Sequence, residues 1–239
     1  MAFLPYPIIA FLAICVFASV HLWAGRLTRL NNDFQARFLS IGGGIAISYV
    51  FLDLLSKLCA GDLVVRKALT GVFPFAERHV YIMALLGFLL FFIVDRFEGG
   101  TWKRVSTALS ITSYSLFNFF VGYAVTYKDD PDIQPLALFT FAMALHYFTN
   151  DYTLTRDHPD MYRKEGRWIL IGSLFMGWFV GCWIVISPAA IALINAFIGG
   201  GVIMNVMRHE LPSDNPNNTM TFLTGTVVYG AMLLMIGSS

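Results

Sequence analysis

The sequence predicts an all-α, polytopic membrane protein with eight transmembrane helices and an inverted repeat. Three observations predict it. Hydrophobic residues make up 57% of the 239 residues and charged residues only 13%, whereas a soluble domain is about 25% charged. Eight apolar segments are long enough, or nearly so, to cross a hydrocarbon core of about 30 Å, which takes roughly 20 helical residues. A glycine-rich segment occurs twice, at 41–55 and again at 198–212.

The segments fall near 6–25, 38–58, 79–95, 105–126, 133–153, 168–187, 188–208 and 220–237. The sixth and seventh form one apolar stretch broken at Ser187-Pro188. Proline suits the first turn of a new helix and not the interior of an old one, so a tight turn is expected there. The N-terminus lacks a basic region before its apolar run and reads as a first membrane helix, not a cleaved leader. With a mean hydropathy of +0.66, residues 1–239 read as a single membrane-embedded helical bundle.

Charge sets the expected orientation, because basic residues gather on the cytoplasmic side. Arg26, Arg29, Arg37, Arg96, Lys103, Arg104, Arg156, Arg163, Lys164, Arg167 and Arg208 fall on one side, and Lys57, Arg66, Lys67, Arg78 and Lys128 on the other. The first set is the larger, which places both termini outside a cell (inner) membrane. Trp102 and Trp168 stand beside the cytoplasmic arginines, as interfacial aromatics do. The net charge of +1 and the absence of a Lys/Arg run give no sign of nucleic acid. The expected partner is the lipid bilayer; a homodimer is among the states left open. Cys15, Cys59 and Cys182 are widely spaced and read as small hydrophobes, not as a disulfide or metal framework.

At an offset of 157, Gly42–Gly44 superpose on Gly199–Gly201, Asp53 meets Glu210 and Leu54 meets Leu211. With the expected topology the second helix runs outward and the seventh inward, so the repeat is inverted, as in many secondary transporters. Glycine packing between helices accounts for the glycines by themselves, but less well for the matching acid.

Ionisable groups in hydrocarbon cost about 2.5–3.5 kcal/mol near the centre, so each one marks a functional candidate. The fourth helix carries Asn118, and the fifth carries His146, Asn150 and Asp151. His146 and Asn150 are four apart and share a helix face; with Asn118 they form a nitrogen and oxygen set of the kind that suits zinc and similar divalent metals. Polar glue between helices is the alternative reading for Asn118, and a hydrogen-bonded bundle histidine for His146. His21, Asp53, His79 and Glu210 lie toward helix ends and carry less weight. The acidic loop Asp129-Asp130-Pro131-Asp132 and the charged connector Thr155–Lys164 read as solvated loops, the second with some capacity for a partner or for anionic headgroups. No HExxH or GxSxG motif and no nucleophile–base pair is present, so no enzyme is expected.

Taken together, the Gly-rich second and seventh helices, the run Phe117-Asn118-Phe119-Phe120-Val121-Gly122 and the run His146-Tyr147-Phe148-Thr149-Asn150-Asp151 resemble the ZIP (Zrt/Irt-like) family of divalent-metal transporters. The resemblance implies eight helices with both termini outside, the first three and last three related by inverted symmetry around the fourth and fifth. It implies a metal site at Asn118, His146, Asn150 and Asp151, no resident cofactor, and a divalent metal as the transported ion, with zinc itself in question. The chain departs from the family where its fourth-helix pattern His-Asn-x-x-Asp-Gly meets Phe117 and Val121. It departs again where His-Glu-x-Pro-His-Glu meets Tyr147, Thr149 and Asn150. Phe117 and Val121 offer a dication neither ligand nor charge. The expected function is therefore that of a divergent ZIP-like transporter moving a divalent metal cation or another small solute by alternating access. A non-transporting membrane partner or sensor that keeps the fold is the alternative.

Overall fold

A computed structural model describes residues 6–29, 31–69, 78–97, 103–126, 133–157, 159–211 and 216–237. The acidic loop 129–132, Trp102, His158 and Pro212 lie outside the described residues. Among the described residues the protein is all-helical, with eight helices. They are α1 (Tyr6–Trp23, then a 3₁₀ turn Ala24–Arg29), α2 (residues 32–69), α3 (His79–Phe97), α4 (Lys103–Thr126), α5 (Ile133–Asp157), α6 (residues 159–183), α7 (residues 188–210) and α8 (Pro216–Gly237). Four helical spans, Tyr6–Arg26, Asn32–Leu69, Pro188–Arg208 and Asn217–Met235, are long and apolar enough to cross a membrane, and His79–Val94 is a shorter apolar helix.

Local chemistry explains the boundaries. The Asn31 side chain caps α2 by accepting from the Asp33 amide at 2.9 Å, satisfying one of the free N–H groups of the first turn. Helix α2 starts earlier and runs further than the 38–58 expected from hydropathy. Its polar end is sustained by i,i+4 ion pairs, Lys57 to Asp53 at 2.7 Å and Arg66 to Asp62 at 2.6 Å. At about 1.5 Å per residue its 38 residues span roughly 57 Å. The break at Ser187-Pro188 is present: α6 ends at Trp183, and α7 opens with Ser187 as N-cap and Pro188 in the first turn. Tyr123 of α4 fastens the extended link between them. Its hydroxyl donates to the Ile184 carbonyl at 2.7 Å and accepts from the Ile186 amide at 3.2 Å.

The connector expected around 155–164 is instead largely helical. Residues 155–157 finish α5, and α6 begins at Pro159 with a π-helical turn over Tyr162–Gly166. Tyr162 is fully buried there, and its ring anchors the turn that hydropathy alone reads as solvated. Two further π-helical turns interrupt long helices, at Val50–Leu54 in α2 and at Val206–Glu210 in α7.

Helix α2 packs along α8, α3 along α7 and α4 along α6, while α5 lies against α1 and the first half of α2. Glycine lets the backbones meet. A Cβ on Gly44 would strike the Phe222 carbonyl and Thr226 amide of α8, and one on Gly225 the Ile41 carbonyl of α2. Likewise a Cβ on Gly200 would strike the Ala84 carbonyl and Phe88 amide of α3, and one on Gly87 the Phe197 carbonyl of α7. Gly122 and Gly177 play the same part between α4 and α6. The bundle exposes large apolar side chains and buries a polar minority within a mainly apolar core. Large hydrophobics such as Leu85, Phe179, Val227 and Met235 are exposed, whereas Ser110, Asn118, His146, Asn150 and Asp151 are buried.

Candidate functional site

The polar centre is built by α1, α4 and α5. Fully buried His21 from the last turn of α1 lies between two side chains that the sequence had already singled out. Its Nδ1 is 2.7 Å from Asp151 Oδ2 and its Nε2 is 2.9 Å from Asn118 Oδ1. Asn118 Nδ2 donates to the Tyr114 carbonyl at 2.8 Å. That bond orients the amide so that Oδ1 faces the imidazole and accepts from Nε2–H. Asp151 Oδ1 is buried with no hydrogen bond to a described residue. The Tyr162 hydroxyl closes the cluster by reaching the His21 carbonyl oxygen at 3.4 Å.

Of the four residues expected to form a metal site, the structure joins Asn118 and Asp151, and joins them through His21. The His146 ring lies 6.0 Å from that of Phe117, and buried Asn150 has an Oδ1 with no hydrogen bond to a described residue. Among the described residues, no group of three or more His, Cys, Asp or Glu side chains is arranged to hold a metal ion. His21 is the residue that the sequence reading undervalued. Its partners lie 130 and 97 residues away along the chain, and periodicity carries no information about such pairings. The available signal was an ionisable side chain at the end of an apolar helix, which is a functional candidate by default.

Above this centre the character of the bundle changes in steps. One face of α5 carries Leu136, Phe139, Met143, Tyr147 and Asp151 in succession, spaced three or four apart. Leu136, Phe139 and Met143 line a cavity of about 410 Å³, together with Val121 and Val125 of α4, Tyr49 and Lys57 of α2 and Pro188 and Val202 of α7. Below it comes an aromatic layer. The Tyr147 ring centroid is 5.2 Å from that of Phe17 and 6.1 Å from that of Phe117, and Phe117 is 5.8 Å from Phe91. Phe17, Phe117 and Tyr147 are each fully buried. His21 lies beneath, its ring 4.9 Å from Tyr147. Along the core, an apolar cavity therefore leads to an aromatic seal, and the seal covers a hydrogen-bonded ionisable centre.

The chain matches no protein-family profile and no curated protein.

Proposed function

We propose that the chain is an eight-crossing membrane protein of ZIP-like layout that passes a small solute by alternating access. The observation that carries this reading is the correspondence between its helix interfaces. The π-helical turns run from Val50 to Leu54 and from Val206 to Glu210, an offset of 156. The same offset relates Gly44 to Gly200 and Ile41 to Phe197. The helices they meet correspond at an offset of 138: Ala84 to Phe222, Gly87 to Gly225 and Phe88 to Thr226. Helix α2 thus meets α8 through the contacts by which α7 meets α3, which is what an inverted repeat of residues in the first and last three helices requires. The register is one residue shorter than the sequence match of 157. It pairs Asp53 with His209 and Leu54 with Glu210, so the acid match is not part of it.

The cavity supports the same reading. Its lining runs from exposed Lys57 and Pro188 to buried Val121 and Met143, each one helical turn from the Phe117 and Tyr147 rings, as an access route closed on one side would. On the orientation inferred from basic residues, the Lys57 end is the outer side. A non-transporting partner or sensor is the second reading. It is favoured by one observation: His21 already occupies Asn118 Oδ1 and one of the two Asp151 oxygens, Oδ2, that a cation would need.

Flux into proteoliposomes separates the two. The transport reading expects uptake of divalent cations (zinc, manganese or iron) or of the solute class argued below, above protein-free vesicles and reduced in Met143→Trp, whose larger ring intrudes on the cavity wall. Metal uptake that falls in His146→Ala would assign the dication as cargo. Wild-type vesicles that take up neither class would favour the sensor reading.

A further inference from the structure

The cavity's own chemistry selects a ligand class. Its volume of about 410 Å³ lies near the lower end of the range of roughly 300–1,000 Å³ found for ligand sites, room for one short chain. Val121, Phe139, Met143 and Val202 make its walls apolar, and no carboxylate is among the described residues that line it. A dication entering here would lose its water and meet only neutral oxygens such as those of Asn195 and Tyr49, with no carboxylate or imidazole among the described lining residues, which repays little of that cost. Among the described residues that line the cavity, Lys57 alone is charged. It is half-exposed and gives one N–H to Asp53, leaving two of the three ammonium donors for another acceptor.

We infer that this cavity is a binding site for a single-chain anionic amphiphile. The apolar chain lies among Val121, Phe139 and Met143, and a carboxylate or similar acidic head meets Lys57. Lys57 is charge-balanced by Asp53, so the preference for an acidic head comes from its two remaining ammonium donors, and the walls favour a hydrocarbon chain over a polar solute. The inference names the solute for the transport reading and rests on it for biological meaning, but binding is tested without transport.

The full-length protein in lipid nanodiscs is treated with a photoreactive analogue of decanoate, and labelled residues are located by mass spectrometry. Decanoate, decanol and decyltrimethylammonium, which share a tail and differ in head charge, serve as competitors. The expected result is labelling at the α4 and α5 cavity residues, with decanoate competing about tenfold better than decanol, as one charged hydrogen bond provides, and the cationic amphiphile competing worst. Lys57→Gln, a change at an exposed position, removes the preference between heads. Met143→Trp reduces the labelling. Equal competition by all three heads would overturn the proposal. So would labelling confined to lipid-facing side chains such as Leu85 and Val227, which marks partition into lipid alone. Saturable binding without flux in vesicles would keep the site and remove the transport reading; flux of metal without binding would do the reverse.

Discussion

His21→Leu is expected to destabilise the bundle by about 3–5 kcal/mol, the usual cost of removing one member of a buried ion pair. The substitution leaves the Asp151 carboxylate, fully buried, without its 2.7 Å partner, and frees Asn118 Oδ1 from its 2.9 Å contact. An acid in that setting must either stay ionised in an apolar medium or take up a proton, and both are costly. The effect falls on one junction: α1 is tied to α4 and α5 through this side chain. Melting of the purified protein in detergent measures it. The double variant His21→Leu with Asp151→Leu removes the charge along with its partner, so it is expected to be more stable than His21→Leu alone. A coupling free energy above about 1 kcal/mol in the double-mutant cycle identifies direct interaction. Equal melting of His21→Leu and wild type would show that the contact does not hold the helices together.

Gly200→Ala is the second large effect. The added Cβ has no side chain to displace, only the Ala84 carbonyl and Phe88 amide of α3, so the helices themselves must separate. Overpacking of this kind costs about 1–3 kcal/mol or more. Gly44→Ala, directed at Phe222 and Thr226 of α8, is expected to cost a similar amount if the two interfaces are counterparts. Gly172→Ala is the control. Nothing lies within 4 Å of a Cβ there, and alanine favours a helix over glycine by about 1 kcal/mol, so its melting point is expected to hold or rise. Melting points measured side by side check all three, and a harmless Gly200→Ala would contradict the close approach of α3 and α7.

Much of this fold was legible because its signals are local. Ser187-Pro188 carries both cap and proline within two residues, and the break appears there. The apolar runs located every helix. The triple glycines align at an offset of 157 in the sequence, whereas the contact partners of Gly44 and Gly200 correspond at 156, since a run of three identical residues slides by one without penalty. Helix α2 outran its apolar stretch because Asp53, Lys57, Asp62 and Arg66 pair along its side, an effect that hydropathy counts as the end of a membrane segment. The site was half legible. Asn118 and Asp151 stood out as polar groups in apolar helices, but His21 joins them from another helix, and only the folded arrangement brings the three together. The burial of Tyr162 under α1 is likewise a tertiary event.

The central claim is alternating access through the cavity, and cysteine accessibility tests it most directly. Met143 lies on the cavity wall, and the native Cys15, Cys59 and Cys182 can be replaced to give a silent background. A cysteine at position 143 is then probed in sided proteoliposomes with a membrane-impermeant maleimide. The account predicts reaction from the Lys57 side in the conformation described above. It also predicts a second population that reacts from the opposite side, enlarged when Phe117→Ala thins the aromatic layer. Reaction from the Lys57 side alone, unchanged by Phe117→Ala and by added decanoate or metal, would contradict it.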